Sequence, residues 1–222
     1  MSNTFKPVMS VLPTAQQQLW PELGAASDLG LVLYGGTAIA LRLGHRASVD
    51  FDFFTDQHLS RSALRAAFSF LPRAEVLQDQ PETLTVVAPS AEQTVKISFF
   101  GSIGFGRVGT PELTDDRAVQ VASLDDLMAT KLKVVLQRVE AKDYRDIAAM
   151  IRADVSLARG LAAARCLYGS EFQPSESLKA LTYFEGGDLN VLSNDDKETL
   201  IAAASAVRDL PPVKTIASQL GV

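Results

Sequence analysis

The sequence predicts an α+β fold: a mixed β-sheet core flanked by helices, followed by a C-terminal helical region. Three observations predict it. Short apolar or alternating runs dominate up to about residue 120. Apolar residues at helical spacing dominate after it. Glycine and proline fall between these runs, where turns are needed. We therefore divide the chain into an α/β core, residues 1–120, and a helical region packed on it, residues 121–222. The same pattern also suits one continuous domain.

The elements follow in order. Residues 14–29 carry Leu19, Trp20 and Leu23 at helical spacing and read as a helix. Leu31-Val32-Leu33-Tyr34 is a short apolar run closed by Gly35-Gly36, which marks a buried strand. Thr37 to Leu43 reads as a helix stopped by Gly44. Val49 to Phe54 alternates acids with aromatics, a strand pattern. Residues 60–70 form a helix. Glu75–Gln78, Leu84–Val87 and Val95–Phe100 are strands, joined through Gln80-Pro81 and Pro89-Ser90. Ser123 caps a helix whose third residue, Asp126, completes a capping box. That helix runs on through Lys131 and Arg138. Further helices are expected near 143–152, 155–168, 175–185 and 195–208, with Pro211-Pro212 closing the last.

Composition limits the function. Nearly half of the 222 residues are apolar, enough for a sizeable core. A net charge of −5 argues against a broad basic surface for non-specific nucleic-acid binding, though not against a local basic groove. The single cysteine, Cys166, cannot form an internal disulfide, which fits a reducing compartment. The N-terminal stretch lacks the charge and apolar run of a secretory signal, and no run reaches membrane-span length. The expected location is cytoplasmic, with no membrane partner.

Two constellations carry chemistry. The first is Gly35-Gly36-Thr37, set between a strand and a helix. Glycine permits close backbone approach, and a helix N-terminus offers free amides to a phosphate. An ordinary tight turn has the same pattern. About a dozen residues later come Asp50 and Asp52. Residues two apart on a strand share a face, so these carboxylates repel each other unless a cation lies between them. A solvent-facing edge strand is the plainer reading of the acids alone. His45-Arg46, lying between, adds positive charge. An Asp-x-Asp phosphohydrolase fits less well, because its first Asp opens the chain's first strand, whereas here a glycine turn precedes the acids.

The second constellation lies in Asp126 to Asp146. At 100° per residue, Lys131, Arg138 and Lys142 fall within about 40° of one another on an unbroken helix. Three cations on one stripe suit a triphosphate. Lys133 lies roughly 160° away and should face solvent. A solvated face with a Lys142–Asp146 pair is the plainer alternative.

The string from Tyr34 through Asp50-Phe51-Asp52-Phe53-Phe54, together with Lys142-Asp143-Tyr144-Arg145-Asp146, closely resembles the AbiEii/AbiGii toxin family of the DNA polymerase β-like nucleotidyltransferases. The resemblance covers about residues 31–54 and 123–151. It implies a nucleotidyltransferase-like core in which Gly35, Gly36, Thr37, Arg46, Arg138, Lys142 and Asp143 bind nucleotide. Asp50 and Asp52 would hold Mg²⁺ or Mn²⁺, and Lys131 would join them as a catalytic group. It further implies a nucleoside triphosphate as substrate, tRNA or another RNA as acceptor, a cognate antitoxin and a role in abortive infection. A catalytically degenerate nucleotide-binding module is the alternative. Active polymerase β-like enzymes place a third carboxylate on a later strand. Here that strand, Val95–Phe100, offers Lys96 and Ser98. Glu92, in the preceding turn, is the nearest acid.

Overall fold

The structure, a computed structural model, describes residues 3–90 and 93–222. Glu92 lies outside the described residues. The chain forms two compact units. The first comprises the residues up to Gly106, Thr110–Ser123 and Ala217–Val222; the second comprises Arg107–Gly109 and Leu124–Ile216.

Among the described residues, the first unit is built on an eight-stranded mixed sheet. Its strands are β1 (Thr4–Phe5), β2 (Val32–Tyr34), β3 (Asp50–Phe54), β4 (Glu75–Gln80), β5 (Thr83–Pro89), β6 (Thr94–Phe100), β7 (Glu112–Thr114) and β8 (Gln120–Val121). They lie in the order β1-β7-β8-β2-β3-β6-β5-β4. β3 is central: it runs antiparallel to β2 and parallel to β6. The helices of this unit are α1 (Thr14–Leu19), α2 (Gly35–Leu43) and α3 (Arg61–Ala67).

The predicted strands are present, and their pairing makes the fold α+β. Three strands were not anticipated. β1, β7 and β8 have two or three residues each, too few to show a period. The helix expected over 14–29 is α-helical only to Leu19 and continues as a 3-10 helix over Trp20–Leu29. Pro21 has no amide hydrogen for the α-helical ladder at the changeover. α2 ends as read, at Gly44 with φ +68°. α3 stops at Ala67, short of residue 70, with Ser60 capping its start by accepting from the Ala63 amide.

The core of the sheet is aromatic. Phe51, Phe53 and Phe99 are fully buried, with Phe53 stacked on Phe99 at 5.8 Å. One cation ties α2 to the sheet. The Arg42 guanidinium donates to the carbonyls of Val121 and Ala122, pairs with Glu112 and lies 4.4 Å over the Phe5 ring. The last residues return to this unit. Leu220 is fully buried and its amide donates to Asp56, while Gln120 brackets Val222 through both its amide and its carbonyl.

The second unit is helical: α4 (Leu124–Val134), α5 (Ala141–Arg152), α6 (Leu157–Tyr168), α7 (Pro174–Ala180) and α8 (Asn194–Ala206). Ser156 and Ser193 cap α6 and α8 through their hydroxyls. α7 is shorter than read, and α8 stops at Ala206, ahead of Pro211. Gly160 on α6 lets that helix approach α4, since a Cβ there would lie 2.2 Å from Met128 Cγ. Asp126, in the first turn of α4, is buried. Its two carboxylate oxygens accept from the Val108 and Gly109 amides at 2.8 and 3.1 Å. Among the described residues no helix is long and apolar enough to cross a membrane.

Replacing Arg42 with Ala strands Glu112 and two carbonyls in a largely buried setting. The expected loss is about 3 kcal/mol, read from chemical denaturation. An unchanged midpoint would show that the guanidinium does not hold α2 to the sheet.

Candidate functional site

The sheet brings the glycine bend and the second acid together. β2 is buried throughout, and its last residue, Tyr34, pairs in register with Asp52. The chain turns immediately afterwards at Gly35, whose φ of +74° favours glycine. A Cβ at Gly35 would lie 2.8 Å from Asp52 Oδ2, so the carboxylate is packed directly on the bend. α2 starts at this bend, and the first amides of a helix have no partner inside it.

Thr37 sits one residue beyond Gly36 and is 2% exposed. Its hydroxyl shares a hydrogen bond with Ser48 Oγ at 2.7 Å and donates to the Asp50 carbonyl. The Gln16 side-chain amide donates to the Val49 carbonyl at 2.7 Å, and the Ser48 amide to the Val11 carbonyl at 3.0 Å. Together these bonds fix the backbone that enters β3. In this structure, then, Thr37 braces the first acid through the main chain. The Arg46 guanidinium donates to the neighbouring Ala47 carbonyl at 2.9 Å.

β3 alternates half-buried Asp50, Asp52 and Phe54 with buried Phe51 and Phe53. The acids therefore share one face, as a two-residue spacing requires. The parallel partner strand sets Lys96 opposite Asp50 and Ser98 opposite Asp52. Lys96 Nζ is 3.2 Å from Asp50 Oδ2. Ser98 is buried, and its hydroxyl accepts from Thr85 at 3.4 Å. Among the described residues no group of three or more His, Cys, Asp or Glu side chains could hold a metal ion. Two carboxylates remain suited to a small hard dication such as Mg²⁺, which is commonly bound by one or two carboxylates plus substrate phosphates. The Gly35 bend leaves the Asp52 oxygen the space that a Cβ would fill.

The second constellation differs from its sequence reading. The basic stripe assumed one helix, but α4 ends at Val134 and α5 begins at Ala141. On an unbroken helix Lys131 and Asp143 would be about 18 Å apart along the axis. Here Lys131 Nζ lies 2.6 Å from Asp143 Oδ1 and 2.7 Å from Asp146 Oδ2. The chain folds back because two fully buried carboxylates need a cation between them. Arg138, in the intervening turn, forks onto both Asp143 oxygens at 2.9 and 3.2 Å. Lys142 pairs instead with Glu140 at 2.8 Å. Lys131 and Arg138 thus converge on Asp143, and Lys142 does not join them. Lys133 does not simply face solvent either. Its ammonium donates to the Glu171 carbonyl and lies 5.6 Å over the Tyr168 ring. Burial pushes the Asp143 carboxyl up, but the Arg138 fork and the Lys131 charge outweigh burial and hold it below the usual aspartate range.

The model of the nucleotidyl transferase AbiEii toxin family, a type IV toxin–antitoxin system, matches residues 24–210. The chain belongs to this family. It is 30% identical over 132 residues to the uncharacterized protein aq_aa25 of Aquifex aeolicus (strain VF5). That match covers 59% of this chain and 61% of the relative, so the chain spans less than two thirds of it. The fold resembles MenT4, a nucleotidyltransferase toxin from Mycobacterium tuberculosis H37Rv, with a TM-score of 0.59 at 12% identity. That likeness covers 87% of this chain and 84% of the MenT4 chain.

In this AbiEii family member two residues that shape the site, Gln16 and Ser48, stand outside the sequence-predicted set. Gln16 and Ser48 fix the entry to β3, yet nothing in their local pattern marks them. Lys96 is legible in the sequence, since with Ser98 it shares a face of the strand expected to hold an acid and can meet the phosphates or the metal site. Asp146 helps to orient Lys131 through its 2.7 Å contact with the ammonium.

Lys131→Met leaves Asp143 and Asp146 buried without their shared ammonium, and an expected loss of about 3–5 kcal/mol would appear in denaturant melts. The acid limb gives a second check. Because the folded Asp143 carboxyl is held low, its stabilisation is complete above the ordinary aspartate value of about 4 and fades as pH falls through the lower folded value. Lys131→Met should flatten that limb; an identical pH profile in both proteins would refute the assignment. Gly35→Ala combines an unfavourable φ with a collision at Asp52 and should cost at least about 1 kcal/mol.

Proposed function

We propose that this chain is a metal-dependent nucleotidyltransferase toxin. It transfers a nucleotidyl group from a nucleoside triphosphate to an acceptor such as tRNA or another cellular RNA, releasing pyrophosphate. The observation that carries this reading is the packing of Gly35 against Asp52, with Asp50 on the same face of β3. Membership of a nucleotidyltransferase toxin family supports the reaction class.

In this reading Asp50 and Asp52 hold Mg²⁺ or Mn²⁺, which when bound offsets negative charge on the transferring phosphoryl group. Gly35 and Gly36 let the triphosphate approach the start of α2, where helix amides donate to its oxygens. Arg46 sits on the loop after α2 and adds a cation for the phosphates. The acceptor hydroxyl attacks the α-phosphorus as the bond to the pyrophosphate oxygen breaks, and the hydroxyl proton passes to solvent. Asp143, held ionised, fixes Lys131 and the half-exposed Arg138, which in this reading are nucleotide-binding cations. Lys142, half-exposed beside Glu140, contributes a second solvent-facing cation. Membership of a type IV toxin–antitoxin family supports a cognate antitoxin partner; an abortive-infection role and action in the cytoplasm belong to the same proposal.

A second reading has its own observation. The Lys96–Asp50 ion pair occupies the place where a third carboxylate would stand. A site so altered suits a catalytically degenerate module that binds nucleoside triphosphate without transferring it.

Incubation with α-labelled nucleoside triphosphates, Mg²⁺ or Mn²⁺ and total RNA separates the two. We expect label on RNA, and a loss of at least about a hundredfold in Asp50→Asn and Asp52→Asn. Triphosphate binding by calorimetry with no transfer to any acceptor would leave the binding module as the answer.

A further inference from the structure

We propose that Lys96 is a built-in counter-ion for the carboxylate pair, one that leaves Asp50 when a divalent ion binds and then contacts the triphosphate. The proposal rests on the metal and nucleotide reading above.

Register places the residue. Parallel pairing puts Lys96 beside Asp50 on the same sheet face, one strand away. The other neighbours on that face are not cationic: Val87 pairs with Lys96 across β5, and Ser98 follows it toward Asp52. The ammonium makes a 3.2 Å contact with a single carboxylate oxygen. Its side chain is 44% exposed and that of Asp50 is 35% exposed. Ion pairs so open to water contribute little to folding, so stability alone does not account for a cation here.

The contrast with Lys131 shows what this contact is suited to. The Lys131 ammonium is sealed between two buried acids and has nowhere to go. Lys96 has a flexible stem, rotatable donors and solvent on one side. A dication arriving at Asp50 and Asp52 repels the ammonium while neutralising its partner. The freed charge stays on the same face, next to where the phosphates must lie to share the ion. Lys96 therefore weakens binding of the ion alone and strengthens binding of the ion together with a polyphosphate. It makes the two arrive as a pair.

The test uses the full chain at fixed pH and ionic strength. Mn²⁺ binding is followed by calorimetry and by electron paramagnetic resonance, first alone and then with an α,β-non-cleavable nucleoside triphosphate analogue. Lys96→Met should bind Mn²⁺ alone on the order of fivefold more tightly, and the Mn²⁺–analogue complex on the order of fivefold more weakly. Lys96→Arg should restore analogue binding. Lys96→Glu, which adds a third carboxylate, should tighten Mn²⁺ further and weaken the analogue most. Unchanged or weaker Mn²⁺ binding in Lys96→Met overturns the proposal, as does unchanged analogue binding. Asp50→Asn keeps the two failures apart. Mn²⁺ binding that is lost in Asp50→Asn but equal in wild type and Lys96→Met refutes the counter-ion alone. No Mn²⁺ binding in any of these proteins, with or without the analogue, refutes the metal reading and the counter-ion with it.

Discussion

Two like charges held on a half-buried strand are the constraint around which the first unit is arranged. Asp50 and Asp52 cannot turn inward, because the alternate positions are filled by Phe51 and Phe53 in the aromatic core. They cannot drift along the chain either. Thr37, Gln16 and Ser48 hold the residues that enter β3, and β2 and β6 flank the strand on both sides. The sheet thus prevents the relaxation that would relieve the repulsion. Nearby charge must then compensate, and the ammonium beside Asp50 supplies part of it.

The second unit solves a related problem in the opposite way. Asp143 and Asp146 are sealed from water, so water cannot share in stabilising their charge. The chain interrupts its helix to bring Lys131 back to them and lets Arg138 close over Asp143 from the turn. Such a cluster is rigid because each partner is costly to remove. The contact at Asp50 is open and cheap to break. The same pair of residue types, lysine and aspartate, therefore gives a fixed brace in one unit and an exchangeable contact in the other. The difference comes from solvent access rather than from distance.

Much of this was legible before any coordinates. The strand–Gly-Gly–helix–strand run reads directly because each step has a local cause. Gly44 stops a helix, the alternation of Asp with Phe sets a strand face, and the two-residue spacing of the acids sets their direction. The break between Val134 and Ala141 was not legible. The residues there are ordinary helix formers, and the fold-back depends on charges that meet only in three dimensions. The bonds from Asp126 to the amides of residues 108 and 109 were not legible either, because no local window includes both ends. The two-residue strands β1 and β8 exist because of their neighbours, and short segments carry no period of their own.

The return of residues 217–222 to the first unit bears on how the chain is made. Leu220 fills a position in that unit, and Val222 is gripped there at both its amide and its carbonyl by Gln120. Ribosomes deliver these residues only after all five helices of the second unit have been synthesised. Until then the nascent sheet unit lacks one of its own apolar plugs, and Asp56 lacks the amide that it accepts in the finished molecule. The unit whose strands emerge first is consequently the one that is sealed last.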